Sequence, residues 1–187
     1  MRVREPRIAP LAEQDWSEEQ RELLAVVTRG KPAANVFATL VRHPKLFKRW
    51  TPFGGHLLFA SSLAPRQREL LILRAAWLTR AEYEWGQHVE IAKRAGLGAD
   101  EIERVAAGPA AAGWTEEEAL LLRAADELWE EACLSEESWA ALSRRLSETQ
   151  LMDLVFTVGA YAMLAMALNS FGVQRESGLE GFPERSG

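Results

Sequence analysis

The chain has 187 residues and a mass of 20.9 kDa, the length of one domain with room for a sizeable core. Apolar residues make up 48% and charged residues 26%, which excludes a disordered, collagenous or disulfide-scaffold chain. The net charge of −5 divides into +5 over residues 1–100 and −10 over residues 101–187, with no Lys/Arg cluster, so no nucleic-acid partner is expected.

Ala and Leu fill 54 positions against 21 for Val, Ile and Thr, a bias that predicts an all-α fold. The first residues, Met1-Arg-Val-Arg-Glu-Pro-Arg-Ile8, carry charges where a secretion signal needs an apolar stretch, so a cytoplasmic location is expected. Ser17 with Gln20 reads as a reciprocal capping box opening a helix over 17–29, which Gly30-Lys31-Pro32 closes. Asn35 is the expected cap of a short helix over 35–42 that ends at His43-Pro44, and a further helix is predicted over 45–61. Pro65 at a first turn begins 65–78, and Thr79 with Glu82 opens 80–95, which Gly96 stops. The remaining helices are predicted at 99–107, stopped by Gly108, at 115–132 behind the Thr115/Glu118 box, at 135–146, and at 147–171 behind the Ser147/Gln150 box. The result is a bundle of eight or nine helices in a single domain, 1–187, with an N-terminal extension of one helix (1–34) and an irregular tail (174–187). Gly108-Pro-Ala-Ala-Ala-Gly-Trp114 is the best candidate hinge.

Two segments, Leu70 to Leu78 and Leu154 to Leu168, are apolar almost all round, as central helices are. Their polar first turns, Pro65-Arg-Gln-Arg-Glu-Leu and Glu148-Thr-Gln-Leu-Met-Asp, hint at a duplicated helical pair. Leu154 to Val173 has no formal charge over twenty residues, but its Thr157, Gly159, Tyr161, Asn169 and Ser170 and its lack of flanking anchors fit a buried bundle helix, so no membrane span is expected.

Glu84 and His88 lie four apart, one helical turn, where a carboxylate can orient an imidazole for acid/base work or simply form a surface pair. Glu69 and Arg74 lie within or beside the apolar run that follows Pro65, and a buried guanidinium needs either a protein carboxylate or a bound acid. Tyr83, Trp77 and Trp85 are either core filler or the walls of a pocket, with Trp85 favoured for the latter. Tyr161 and Asn169 need partners if buried and are candidates for the same cavity, while His56, beside two glycines that allow close approach, is either a packed, hydrogen-bonded helix histidine, the favoured reading, or a substrate contact. A metal is not expected, because the Glu84/His88 separation is one residue longer than the Glu-x-x-His of bundle di-iron sites.

The runs Arg68-Glu-Leu-Leu-Ile-Leu-Arg-Ala-Ala-Trp77 and Tyr83-Glu-Trp-Gly-Gln-His-Val-Glu-Ile-Ala-Lys-Arg-Ala-Gly-Leu97 resemble the carboxymuconolactone decarboxylase and alkylhydroperoxidase-like superfamily, specifically over about residues 64–107. The resemblance implies an all-helical fold and assembly as a homo-oligomer, trimer or hexamer. Its peroxidase branch carries E-x11-C-x2-C-x3-H; registered on His88, the Glu falls on Glu69 and the two thiols fall on Ala81 and Glu84. Cys133 is the single cysteine, so the thiol-pair cycle that the motif implies is not available within one chain. The decarboxylase branch has a Glu four residues before the His, as Glu84 stands to His88.

The expected function is therefore a cofactor-free acid/base lyase or isomerase acting on a small carboxylated lactone or unsaturated acid. His88 would transfer the proton, Glu84 would orient it, Glu69 would relay and Arg74 would anchor a carboxylate. The alternatives are a hydroperoxide-consuming enzyme that depends on Cys133 and a non-catalytic helical oligomer or binding protein.

Overall fold

Helix boundaries follow from local capping chemistry. A computed structural model describes residues 3–183, and Met1, Arg2 and residues 184–187, within the predicted extension and tail, lie outside them. The described residues form α1 (Glu18–Thr28), α2 (Asn35–Leu40), α3 (Pro44–Gly55), α4 (Pro65–Thr79), α5 (Glu82–Arg94), α6 (Ala99–Ala107), α7 (Glu116–Glu130), α8 (Glu136–Ser143) and α9 (Glu148–Phe171), with no strand among them. Three expected boxes close reciprocally: Ser17 with Gln20, Thr115 with Glu118 and Ser147 with Gln150.

Two expected caps are different. Thr79 ends α4, its hydroxyl donating back to the Ala75 carbonyl at 2.7 Å, and left-handed Arg80 turns the chain into α5. Asn35 lies just inside α2, where its side-chain amide donates to the Gln174 carbonyl at 3.0 Å. The helix predicted over 45–61 also divides, since α3 passes into a π-helical turn at His56–Ala60. A short 3-10 turn at Glu13–Asp15 had no clear sequence signal.

α4 is the centre of the bundle, with every residue from Glu69 to Ala76 buried. Leu70 and Leu73 pack with Trp85, Val89, Ile102 and Val105; Leu71 packs with Leu121 and Leu154; Ile72 and Ala75 pack on Tyr161. Full burial of one such leucine contributes roughly 2 kcal/mol, so α4 can carry two charged side chains at net gain if each finds a partner.

α9 departs from the expected all-round burial. Leu151, Leu154, Thr157, Val158, Tyr161, Ala165 and Leu168 face the bundle, but Met152, Phe156, Met163 and Met166 on the outer face are each more than half exposed. The helix is long and apolar enough to cross a membrane by length and composition, with 44% of its most apolar window buried inside the protein. Asp153 ties it to the turn after the π-helical segment, accepting from the backbone N–H and the hydroxyl of Ser62, both at 2.6 Å. After α9 the chain is irregular, so among the described residues the suggested duplication has no second counterpart of α5.

The tail is irregular as expected, and it is fastened down. Glu176 accepts from the Asn35 N–H at 2.6 Å, the Gln87 amide at 2.6 Å and the Tyr83 hydroxyl at 3.0 Å, while Phe182 packs on Trp77 and Trp85. Gly86 lets this strap lie against α5, because a Cβ there would stand 2.8 Å from the Glu180 carbonyl oxygen. The suspected hinge is also tied, by Trp114 donating to the Gly108 carbonyl at 3.1 Å and by Arg104 stacking over the Trp114 ring.

Candidate active site

Three helices bring one polar cluster into the apolar interior. The first turns of α4 supply Arg68 and Glu69, α5 supplies Glu84 and His88, and α9 supplies Tyr161. Glu69 is fully buried; one carboxylate oxygen lies 2.7 Å from His88 Nδ1 and the other accepts from Arg68 Nε at 2.9 Å. A carboxylate only accepts, so Nδ1 carries the hydrogen, and in the neutral ring Nε2 is left with its lone pair for a reacting atom. The Tyr161 ring meets the imidazole edge-on, with centroids 4.9 Å apart and planes at 89°, which fixes the ring from its other side.

Glu84 lies one turn before His88, yet the two are not hydrogen bonded. Both Glu84 oxygens are buried with no partner, and burial alone pushes its carboxyl well above the usual carboxylate range. The charge balance agrees, since Arg68 and Glu69 offset each other and leave no counter-ion for an ionised Glu84. Burial likewise holds the Tyr161 phenol well above its ordinary range.

The orienting partner of His88 is thus Glu69, nineteen residues away, and Glu84 is a separate buried carboxyl on the same helix as His88, pushed by burial toward its protonated form. Arg74, expected to anchor a substrate carboxylate, is turned to protein partners away from this cluster. Its guanidinium grips both Asp126 oxygens, at 2.6 and 3.0 Å, and donates to the Val105 and Ala106 carbonyls at 2.9 and 3.1 Å, which joins α4 to α6 and α7. Asp126 carried a readable signal, an acid embedded in the apolar run of α7 just as Arg74 is in α4.

Other candidates are placed elsewhere. Trp85 packs in the hydrophobic core with Trp77 and Phe182, turned one step round the helix from Glu84. Tyr83 holds the tail, its oxygen accepting from the Val36 N–H at 3.1 Å. Asn169 donates to the Thr79 carbonyl at 3.0 Å, closing the end of α4. His56 is half exposed and pairs with Asp153 at 3.3 Å. Tyr161 alone of these five joins the cluster. Cys133 is exposed in the turn between α7 and α8, and the thiol positions of the peroxidase motif are occupied by buried Ala81 and Glu84.

Arg68 is the site residue that sequence reasoning missed. Adjacent helical positions do not normally face one another, so its pairing with Glu69 had no periodic signature. The side chain is about nine-tenths buried, and among the described residues only its Nε finds a partner.

No curated protein matches the chain in sequence. Residues 44–127 match the model of the carboxymuconolactone decarboxylase family. Among solved structures, the chain is similar to an alkylhydroperoxidase AhpD core protein, an uncharacterized peroxidase-related protein from Ralstonia eutropha, at 16% identity over 91% of this chain and 93% of that one, with a TM-score of 0.78. It is also similar to the debrominase Bmp8 in complex with 2,3,4-tribromopyrrole, at 15% identity over 91% of both chains and a TM-score of 0.76. A protein of unknown function from Agrobacterium tumefaciens shares 19% identity over 73% of this chain and 94% of its own, with a TM-score of 0.68. At these identities the solved structures speak for the fold. The family match thus runs over α3 to α7, and the all-helical architecture of the chain as a whole is the one these solved structures share.

Proposed function

We propose that the protein is an acid/base enzyme acting on a small carboxylated lactone or related unsaturated acid, with His88 as the proton-transfer group. The observation that supports this most is the buried contact of 2.7 Å between Glu69 and His88 Nδ1, which dedicates Nε2 to proton transfer. In a decarboxylation the bond from carbon to carboxylate breaks, its electron pair passes into the neighbouring carbonyl, and the imidazolium Nε2–H then protonates the carbon. Solvent returns that proton to His88 for the next turnover. No thiol is required, in keeping with Ala81 and Glu84 at the peroxidase-motif positions.

The test is carbon dioxide release from a panel of carboxylated lactones by wild type and His88→Gln. Loss of a general acid/base is expected to lower turnover by roughly 10²–10⁴-fold. Undiminished turnover in a folded His88→Gln protein contradicts the assignment. A second copy of the chain is the proposed cover for the outer face of α9, because a charge-free face, here extended by the Phe53–Phe156 contact, can meet its own copy without like charges meeting. Sedimentation should show a multiple of 20.9 kDa for wild type and a single chain for Met163→Glu; a monomeric wild type contradicts this.

A further inference from the structure

The Glu69–His88 pair accounts for moving a proton and leaves the neighbouring polar groups without a task. Both oxygens of Glu84 and the hydroxyl of Thr157 are buried with no hydrogen bond, and the Tyr161 hydroxyl has no partner among the described residues. An unpaired buried polar group costs about 1–3 kcal/mol, a cost that Glu84 and Thr157 both carry; Thr157 and Tyr161 lie one turn apart on α9, and Tyr161 packs on His88, itself one turn from Glu84 on α5. Unmet hydrogen-bonding capacity on two helices that meet at the Tyr161–His88 contact, where both residues keep a small exposed part, fits a site pre-organised for a ligand oxygen.

We infer that the Glu84 carboxyl and the Tyr161 phenol together donate hydrogen bonds to the carbonyl oxygen of the substrate, the atom that becomes negatively charged as His88 works. The inference rests on the acid/base reading of His88 and narrows its substrate class to compounds whose reacting carbon adjoins a carbonyl, such as lactones, ketones and conjugated acids. A bond from that carbon, to hydrogen or to a carboxylate, breaks and its electron pair enters the carbonyl to form an enolate. The departing proton goes to Nε2, or carbon dioxide leaves. The enolate oxygen then sits between two neutral donors among buried side chains, where a donor stabilises charge far more than it does in bulk solvent. A neutral Glu84 suits this role, whereas an ionised one would repel the enolate, and its burial keeps the proton on. Arg68, whose terminal nitrogens have no partner among the described residues, offers those N–H donors to a substrate carboxylate.

The probe is 4-nitrophenol, a planar enolate mimic whose anion absorbs visible light and whose neutral form does not. Wild-type protein is expected to bind it as the anion, with affinity lowered at least about tenfold in Tyr161→Phe and in Glu84→Leu, and less in Glu84→Gln, which keeps a donor. Binding as the neutral phenol, no binding, or unchanged affinity in folded Tyr161→Phe overturns the inference. Should Glu84→Leu fail to fold, difference infrared spectroscopy decides. A protonated-carboxyl band at neutral pH that is absent in Glu84→Gln and shifts with nitrophenol supports the pair, and its absence from wild type overturns it. The readout does not need turnover. Nitrophenolate binding with no His88-dependent turnover ends the functional reading and leaves the donor pair standing, whereas turnover that depends on His88 without nitrophenolate binding ends this inference alone.

Discussion

Asp126→Ala is expected to destabilise the protein by about 3–5 kcal/mol, the cost of stranding one member of a buried ion pair. Arg74 is buried and directs Nε and Nη2 at Asp126; without that carboxylate, only the Val105 and Ala106 carbonyls remain for its charge. The loss should appear as a lower urea midpoint at unchanged slope. Arg74→Met in the same chain should recover part of it, because the unpaired charge is then removed as well. Turnover per folded molecule should be unaffected in the double variant. An unchanged midpoint in Asp126→Ala contradicts the structural role of the pair, and lost turnover in the stable double variant would return Arg74 to the substrate.

The second large effect is a pH dependence that resides in Glu84. Its carboxyl ionises near 4.5 in the unfolded chain and well above that in the native protein, because burial penalises the charge. Below that unfolded value both states carry the proton and the shift contributes its full stabilisation. As pH rises the native state holds one proton more than the unfolded chain, so stability falls by about 1.4 kcal/mol per pH unit until the native carboxyl itself ionises. Glu84→Gln has no proton to hold. Its urea stability relative to wild type should therefore climb as pH rises above about 5, until the native carboxyl itself ionises, while other titrating groups cancel in the difference. Parallel curves over that range contradict a neutral Glu84.

Much of the fold was readable because capping residues and glycines mark helix ends locally. Ser17, Thr115 and Ser147 cap where the reciprocal boxes place them, and the chain turns at Gly96 and Gly108 with φ of 90° and 93°. Thr79 misled because its hydroxyl has a competing acceptor in its own preceding turn, a choice that spacing does not reveal. α9 misled differently: composition says that a face is apolar but not that the same chain covers it, and Met152, Phe156, Met163 and Met166 stay uncovered.

The site residues were identified more readily than their partners. Helical spacing put Glu84 and His88 on one face, and the structure keeps them there, but the hydrogen bond goes to a carboxylate from another helix. Glu69 entered as a charge beside an apolar run and again through its register in the resembled peroxidase motif, and the contact with His88 has the same two residues. Arg74 and Asp126 each break an apolar run, and reading the two interruptions together would have paired them. Tyr83, Asn169 and His56 are polar residues at conspicuous positions, each satisfied locally by the tail, by the end of α4 or by Asp153. Sequence alone does not distinguish a polar group with a protein partner from one awaiting a ligand. Among the residues read as functional, the burial and missing partners of Glu84 make that distinction.

The central claim, that Glu69 dedicates His88 Nε2 to proton transfer, is tested most directly by nitrogen-15 NMR of the His88 ring at a pH where it is neutral. The account predicts the tautomer with hydrogen on Nδ1, a strongly hydrogen-bonded Nδ1 proton, and loss of that resonance in Glu69→Ala. A ring that carries its hydrogen on Nε2, or an Nδ1 proton indifferent to Glu69, would contradict it.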